Sequence, residues 1–327
     1  MKPRALFFGT PQFAVPCLDA LCDVAEVVRV ISQPDRPAGR GLAEQAPPVK
    51  LRAIERGIPV MQPTKVRPPE LAAELRALDV EVALVVAYGR ILPEGLLEAP
   101  RRGCVNVHGS LLPRWRGAAP IQWAVAEGDA ETGVCLMEMD EGLDTGPVFA
   151  RAATPIGPDE TAGELGPRLS TIGADLVRSA LPRWLAGALR AEPQDASGVT
   201  IARLLTKEDG FVDLTWSAQR VHDRARGMHP WPGASAMLVE PGRAPVRVKL
   251  HRTRVLDAQG THGEAVAIVA TGANGIEIAC GSGRLALLEL QLEGRKKLGA
   301  AEFLAGRRLA EGTRLVGETA VREGSER

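Results

Sequence analysis

A chain of 327 residues with 45% hydrophobic and 24% charged residues has the composition of a soluble globular protein, large enough for about two domains. Formal net charge is zero, which excludes attraction of the whole chain to nucleic acid, so a polyanion partner must be met by a local patch. No stretch approaches the roughly 18 apolar residues of a membrane span, and the run in M-K-P-R-A-L-F-F-G-T is too short for a signal peptide. The five cysteines (17, 22, 104, 135 and 280) form no C-x-x-C pair and no zinc pattern, which predicts a reduced, cytoplasmic setting and no bound metal.

Residues 4–9 read as a buried strand, and Pro11 then opens an amphipathic helix with Phe13, Val15, Leu18 and Leu21 apolar. With a second strand at 27–32 this is a βαβ start. Gly9 stands alone where a dinucleotide fold would carry G-x-G-x-x-G, so a nicotinamide site is disfavoured. Gln33–Pro48 is a long Pro/Gly/Arg segment that carries Arg36 and Arg40; it reads as a lid, a polyanion-contacting arm or a solvated insertion. A short helix at 49–56, a brief strand at 59–61, a helix at 69–78 and a buried strand at 80–87 follow, the last ending at Tyr88-Gly89. Beyond the strand at 103–108 come a helix at 118–127 and strands at 132–139 and 148–156. Asp159, Glu160 and Thr161 open a long helix to about Leu189.

The polar, Pro-containing stretch 190–207 reads as a linker. After a helix at 218–227, short strands at 234–239, 246–250, 265–270, 275–279 and 285–292 argue for a small β-barrel, closed by a helix in K-K-L-G-A-A-E-F-L-A-G. The expected fold is therefore α/β: a Rossmann-like open, mostly parallel sheet with helices on both faces over 1–189, then an OB-like barrel over 208–317 and a tail at 318–327.

The chain is organised around G-C-V-N-V-H-G-S-L-L-P-R-W-R-G-A-A-P at 103–120. Asn106 and His108 are two apart on a strand, so they share a face where it ends at Gly109. An Asn amide can donate to an oxyanion, a His can shuttle a proton, and an Asp such as Asp144 in E-G-L-D-T-G can orient the imidazole. There is no G-x-S-x-G to supply a nucleophilic serine, so two substrates held together would react directly. Arg243, Arg247, Lys249, Arg252 and Arg254 form a run with no acid among them; with Lys296, Lys297, Arg307 and Arg308 they form either a phosphate-tracking face or an ordinary solvated barrel face.

N-V-H-G-S-L-L-P with E-G-L-D-T-G-P-V resembles the folate-dependent formyltransferases. F-F-G-T-P-Q-F-A, Q-P-D-R-P-A-G-R-G, V-V-A-Y-G-R-I-L-P and H-P-W-P-G-A are similar to the branch whose acceptor is initiator methionyl-tRNA, and the resemblance spans essentially the whole chain. It implies transfer of the formyl group of 10-formyltetrahydrofolate to the methionine α-amino group, through a tetrahedral intermediate, by a monomer. It further implies that Asn106, His108 and Asp144 are the catalytic trio. Ser110, Leu111, Leu112 and Pro113 would line the folate site, and Val86, Ala87, Tyr88 and Leu92 would wall its pteridine pocket. Arg40 would reach the tRNA acceptor end with help from Arg36, and Lys207 would face the acceptor stem. Arg247, Lys249, Arg252, Lys296 and Lys297 would meet phosphates. Family members often carry lysines after G-R-G, where this chain has Leu42, Ala43 and Glu44. Formyl transfer to an amino sugar nucleotide or to glycinamide ribonucleotide is the nearest alternative.

Overall fold

The computed structural model describes residues 2–38, 43–272 and 274–318, which leaves residues 1, 39–42 (with Arg40 and Leu42), 273 and 319–327 outside. The chain forms two compact units that are not consecutive in sequence. Met1–Pro120, Glu131–Pro155 and Gly166–Arg203 make one; Ile121–Ala130, Ile156–Leu165 and Leu204–Arg327 make the other.

In the first unit, β1 (Arg4–Gly9), α1 (Val15–Val24) and β2 (Glu26–Ile31) form the opening βαβ turn. The Pro/Gly/Arg segment holds a short antiparallel ribbon, β3 (Arg36–Ala38) and β4 (Ala43–Gln45). Then come α2 (Pro48–Glu55), β5 (Val60–Met61), α3 (Pro69–Ala77), β6 (Val82–Val86), α4 (Glu94–Leu97) and β7 (Cys104–His108). Both α2 and α3 begin on a proline, whose missing N–H is no loss in a first turn. Along the chain follow β8 (Arg116–Gly117), α5 (Pro120–Ala126), β9 (Glu131–Glu138), β10 (Val148–Pro155), α6 (Ala162–Leu185) and β11 (Ile201–Ala202).

The main sheet has the order β10-β9-β7-β6-β1-β2-β5. It is parallel except at β9, which runs against both β7 and β10. Alternate residues fill the two faces. Leu6, Phe8, Ala83 and Cys104 pack against Leu71 and Leu75 of α3 on one side. On the other, Ser170 of α6 donates to the Phe13 carbonyl at 2.6 Å, and Gly173 lies so near β7 that a Cβ would stand 3.0 Å from Val107. α6 stops at Leu185, short of the predicted end, because Gly187 takes a left-handed conformation (φ 75°) that terminates a helix. Residues 190–203 carry no regular element in the sequence reading. In the structure β11 pairs in parallel with β8, and Glu192 exchanges two backbone hydrogen bonds with Val148.

In the second unit, Thr161 and Glu164 form a capping box at the start of α6: Glu164 N donates to Thr161 Oγ1 at 3.3 Å, and Thr161 N to Glu164 Oε2 at 2.9 Å. α7 (Ala218–Gly227) is capped by Ser217. The barrel strands are β12 (Ala234–Val239), β13 (Val246–Asp257), β14 (Ile268–Gly272), β15 (Gly275–Ala279) and β16 (Arg284–Leu292). β17 (Leu298–Gly299), α8 (Ala300–Gly306) and β18 (Arg314–Val316) complete it. The antiparallel order β14-β15-β16-β13-β12-β18 is brought round on itself by the Ala267–Arg314 bridge, over a core that includes Leu238, Val248, Leu250, Ile278 and Leu287. β13 runs seven residues past its predicted end at 250, because R-T-R alternates Thr253 inward with Arg252 and Arg254 outward. Among the described residues no helix is long and apolar enough to cross a membrane.

Candidate active site

β6 and β7 end side by side, with Val85 paired to Asn106. The β7 alternation puts Asn106 and His108 on one face, and the connection between β9 and β10 brings Asp144 to both. Asn106 Nδ2 donates to Asp144 Oδ1 at 3.2 Å, and His108 Nδ1 lies 3.6 Å from Asp144 Oδ2. The same Oδ2 accepts from the Gly117 amide at 2.8 Å. His108 is only 5% exposed, and its Nε2 faces the Trp115 carbonyl at 2.9 Å. The tautomer follows from that carbonyl, which can only accept, so Nε2 carries the proton. A second proton, on Nδ1, would face the Asp144 carboxylate. Asn106 makes no other side-chain hydrogen bond among the described residues, which leaves one amide N–H for a ligand.

The backbone around the trio is bent with unusual frequency. Of the five described non-glycine residues with positive φ, three border the site: Ala87 (45°), Trp115 (62°) and Asp144 (51°). The left-handed region costs an L-residue roughly 1–2 kcal/mol, so it persists only where neighbours hold it. Each of these three has such a holder. Next to Ala87, the Tyr88 carbonyl accepts from Thr10 Oγ1 at 3.0 Å and Gln33 Nε2 at 3.2 Å. Trp115 N donates to Thr200 Oγ1 at 2.8 Å, and the Asp144 carbonyl accepts from Gln194 Nε2 at 2.8 Å. Gly117 takes φ 118° where a Cβ would stand 2.6 Å from the Ala202 carbonyl, so only glycine lets β8 reach β11 and still present its N–H to Asp144.

No thiol competes as a nucleophile here. Cys104 lies on the same face of β7 as Asn106 but at the buried start of the strand, where its Sγ faces the Leu96 and Leu97 carbonyls and burial pushes it up to about 12. Cys135, beside His108 in register, is raised by burial as well. Thiolates are the reactive form, so both are inert near neutral pH.

The formyl transferase family model matches residues 2–181, and the model of its C-terminal domain matches 204–308. The chain belongs to the formyl transferase family. It is 51% identical over 312 residues to the methionyl-tRNA formyltransferase of Myxococcus xanthus (strain DK1622), covering 95% of this chain and 97% of the relative. To the protein of the same name from Sorangium cellulosum (strain So ce56) it is 52% identical over 309 residues, covering 94% and 98%. Its fold is similar to that of the N-formyltransferase from Helicobacter canadensis, solved with folinic acid and dTDP-3-aminofucose, with a TM-score of 0.64 at 15% identity over 91% of this chain and 100% of that one.

Of the residues expected to line a formyl transferase folate pocket, Val86, Tyr88, Leu92, Ser110 and Leu112 are buried, and Leu111 and Pro113 are half-buried. Ser110 turns its hydroxyl to the Arg114 carbonyl at 2.6 Å, and Leu111 packs on Gly133. Ala87 is exposed, and Ile91, which the sequence reading passed over for Leu92, is 83% exposed. The buried Tyr88 hydroxyl has no hydrogen-bond partner among the described residues.

The expected tRNA contacts differ in how they are held. Arg36 is exposed on β3, and Lys207 is exposed ahead of a short 3-10 turn at Glu208–Gly210. Arg40 lies outside the described residues. On the barrel, Arg247 Nε stands 2.8 Å from Glu318 Oε1, and Arg252 pairs with Glu164, also donating to the Asp159 carbonyl at 3.2 Å. Lys296 pairs with Glu302 at 3.2 Å and Lys297 with Glu289 at 2.8 Å. Lys249 is exposed and makes no ion pair among the described residues. Glu318 itself, the first residue of the stretch read as a tail, is buried and also accepts from Ser235 Oγ at 3.0 Å.

Proposed function

We propose that this chain transfers the formyl group of 10-formyltetrahydrofolate to the α-amino group of methionine on initiator methionyl-tRNA. The observation that carries the proposal is the meeting of Asn106, His108 and Asp144 at the end of β7, in a chain half-identical to proteins named for that reaction. The folate supplies the formyl carbon at the amide oxidation level. An α-amino group has a pKa of roughly 8, so it must lose a proton before or during attack. Asp144 accepts that proton, directly or through water. The spare N–H of Asn106 donates to the formyl oxygen as negative charge gathers there. His108 takes up the proton beside Asp144 and returns one to the folate nitrogen as its bond to the formyl carbon breaks. The amine gains the formyl group and loses one proton, and the folate nitrogen gains one, so the exchange balances.

Val86, Ala87, Tyr88, Leu92 and Ser110–Pro113 hold the folate. Catalysis belongs to 1–189, and the barrel at 208–317, joined by the linker at 190–207, meets the tRNA. There Arg247, Arg252, Lys296 and Lys297 exchange a carboxylate for a phosphate, whereas Lys249 and Lys207 offer their charge directly; Arg36 and Arg40 reach from the arm. One chain acts alone, in the cytoplasm. The test is incubation of the protein with 10-formyltetrahydrofolate and charged initiator tRNA, with an amino sugar nucleotide and water alone as control acceptors. Formylmethionine on the tRNA is the expected product; transfer to the sugar and none to tRNA overturns the proposal.

A further inference from the structure

We propose that Gln194 is a positioning residue for formyl transfer: it fixes the Asp144 turn against the loop that holds His108. The proposal rests on the function given above. Gln194 lies in the stretch that composition marks as a linker, 50 positions from Asp144 and 78 from Arg116. Its Nε2 donates to the carbonyls of Asp144 at 2.8 Å and Gly146 at 2.7 Å. Its Oε1 accepts from Arg116 Nε at 3.0 Å and Nη2 at 2.8 Å. One amide therefore uses both N–H groups on one loop and its oxygen on another.

The side chain is the one the position demands. A guanidinium can only donate and a carbonyl can only accept, so the amide has one possible orientation. A glutamate would keep the Arg116 contact and set an oxygen against two carbonyl oxygens. A methionine of similar length would lose everything. The neighbouring chain works the same way: Thr200 Oγ1 accepts from Trp115 N at 2.8 Å, Thr200 O from Arg116 N at 2.9 Å, and Ala202 O from Ala118 N at 2.8 Å. The carbonyl of Trp115 in turn faces His108 Nε2. Residues 192–202 thus strap the two loops that bring Asp144 and His108 together. Asp144 needs the restraint because its own φ of 51° is strained and its carboxylate must face Asn106, His108 and the Gly117 amide at once.

The test compares Gln194→Met, Gln194→Glu, Asp144→Asn and the double variant Gln194→Glu with Asp144→Asn in formyl transfer to charged initiator tRNA, with thermal midpoints recorded for each. Misplacing a catalytic group by about 1 Å can cost about 100-fold, so kcat should fall at least about tenfold in both Gln194 variants while KM for tRNA and folate stays within about twofold. If Gln194 acts through Asp144, the double variant should be no more than about twofold slower than Asp144→Asn alone. Gln194→Glu keeps the Arg116 contact, so it folds even if Gln194→Met does not. Wild-type turnover in Gln194→Glu, or additive losses in the double variant, overturns the proposal. Absence of transfer by the wild-type protein, or full transfer by Asp144→Asn, removes the function itself and this proposal with it.

Discussion

The β7 end with Asn106 and His108 and the β13 run with Arg247, Lys249 and Arg252 are both polar side chains set two or three apart on a strand, yet they are satisfied in opposite ways. At the β7 end each polar group meets backbone or a neighbouring side chain at close range, and one carboxylate, Asp144, is shared among Asn106, the Gly117 amide and His108. On β13 the partners are whole charges from distant sequence: Glu318 for Arg247 and Glu164 for Arg252. The first arrangement fixes geometry and leaves one N–H unspent. The second stores charge that a polyanion can compete for. A run of basic residues without acids in sequence is thus not an uncompensated patch in space, whereas a two-residue alternation at a strand end does predict a shared face.

The largest effect should come from the geometric region. Removing one oxyanion donor typically costs about 2.7–4 kcal/mol, and removing a positioned proton carrier costs about 100- to 10,000-fold, so Asn106→Ala and His108→Ala should each lower kcat at least about 100-fold with folding intact. Near-normal turnover in either variant would take that residue out of the mechanism. Next comes the glycine that lets β8 close on β11. Gly117→Ala should destabilise the fold by about 2 kcal/mol in urea unfolding, since it adds a Cβ against the Ala202 carbonyl at a left-handed φ, and it should slow transfer as well. Unaltered stability would show that the strap yields.

In the charged region the contrast is between free and paired lysines. Lys249→Ala should weaken tRNA binding about three- to tenfold and flatten the salt dependence by about one counterion, whereas Lys297→Ala, already paired to Glu289, should change affinity less than about twofold. Equal effects would erase the distinction. The smallest effect concerns pH. The Arg252 guanidinium, with the Thr161 amide, holds Glu164 down at about 2. A depressed carboxylate contributes stability above its unfolded value near 4.5 and loses it as pH falls toward 2. Wild type should therefore lose stability more steeply than Glu164→Gln between those limits, by a modest amount because the carboxylate is half exposed. Parallel pH profiles for the two proteins would count against the pair.

Much of the site was legible because its signals are local. Asn106 and His108 declare a shared face by spacing alone, and Gly9 without further glycines argues against a dinucleotide crevice. Asp144 lies 38 residues from Asn106, so no spacing links the two; chemistry makes it a candidate partner and the resemblance makes it the third member of the trio. Gln194, Thr200 and Thr10 were not legible. Each is an ordinary polar residue whose meaning comes from a partner tens of residues away, and nothing in A-E-P-Q-D-A-S marks a side chain that will grip two carbonyls. The pairing of β8 with β11 is illegible for the same reason: two-residue strands have no period. The Arg–Glu pairings on the barrel depend on which strand lies next to which, and charge counts along the chain carry no such information.

The interleaving of the two units sets a limit on dissection. Pro158 O accepts from His222 Nε2 at 2.9 Å, and Arg226 Nη1 donates to the carbonyls of Gly157 at 3.3 Å and Glu160 at 3.2 Å. His222 and Arg226 are both buried in α7. A fragment that begins at residue 204 would keep these donors and lose their acceptors, each orphaned group costing about 1–3 kcal/mol. The barrel is therefore a part that cannot be cut out cleanly at the connector: a stand-alone piece would need residues 121–130 and 156–165, which belong to the same compact unit, supplied in trans or grafted back.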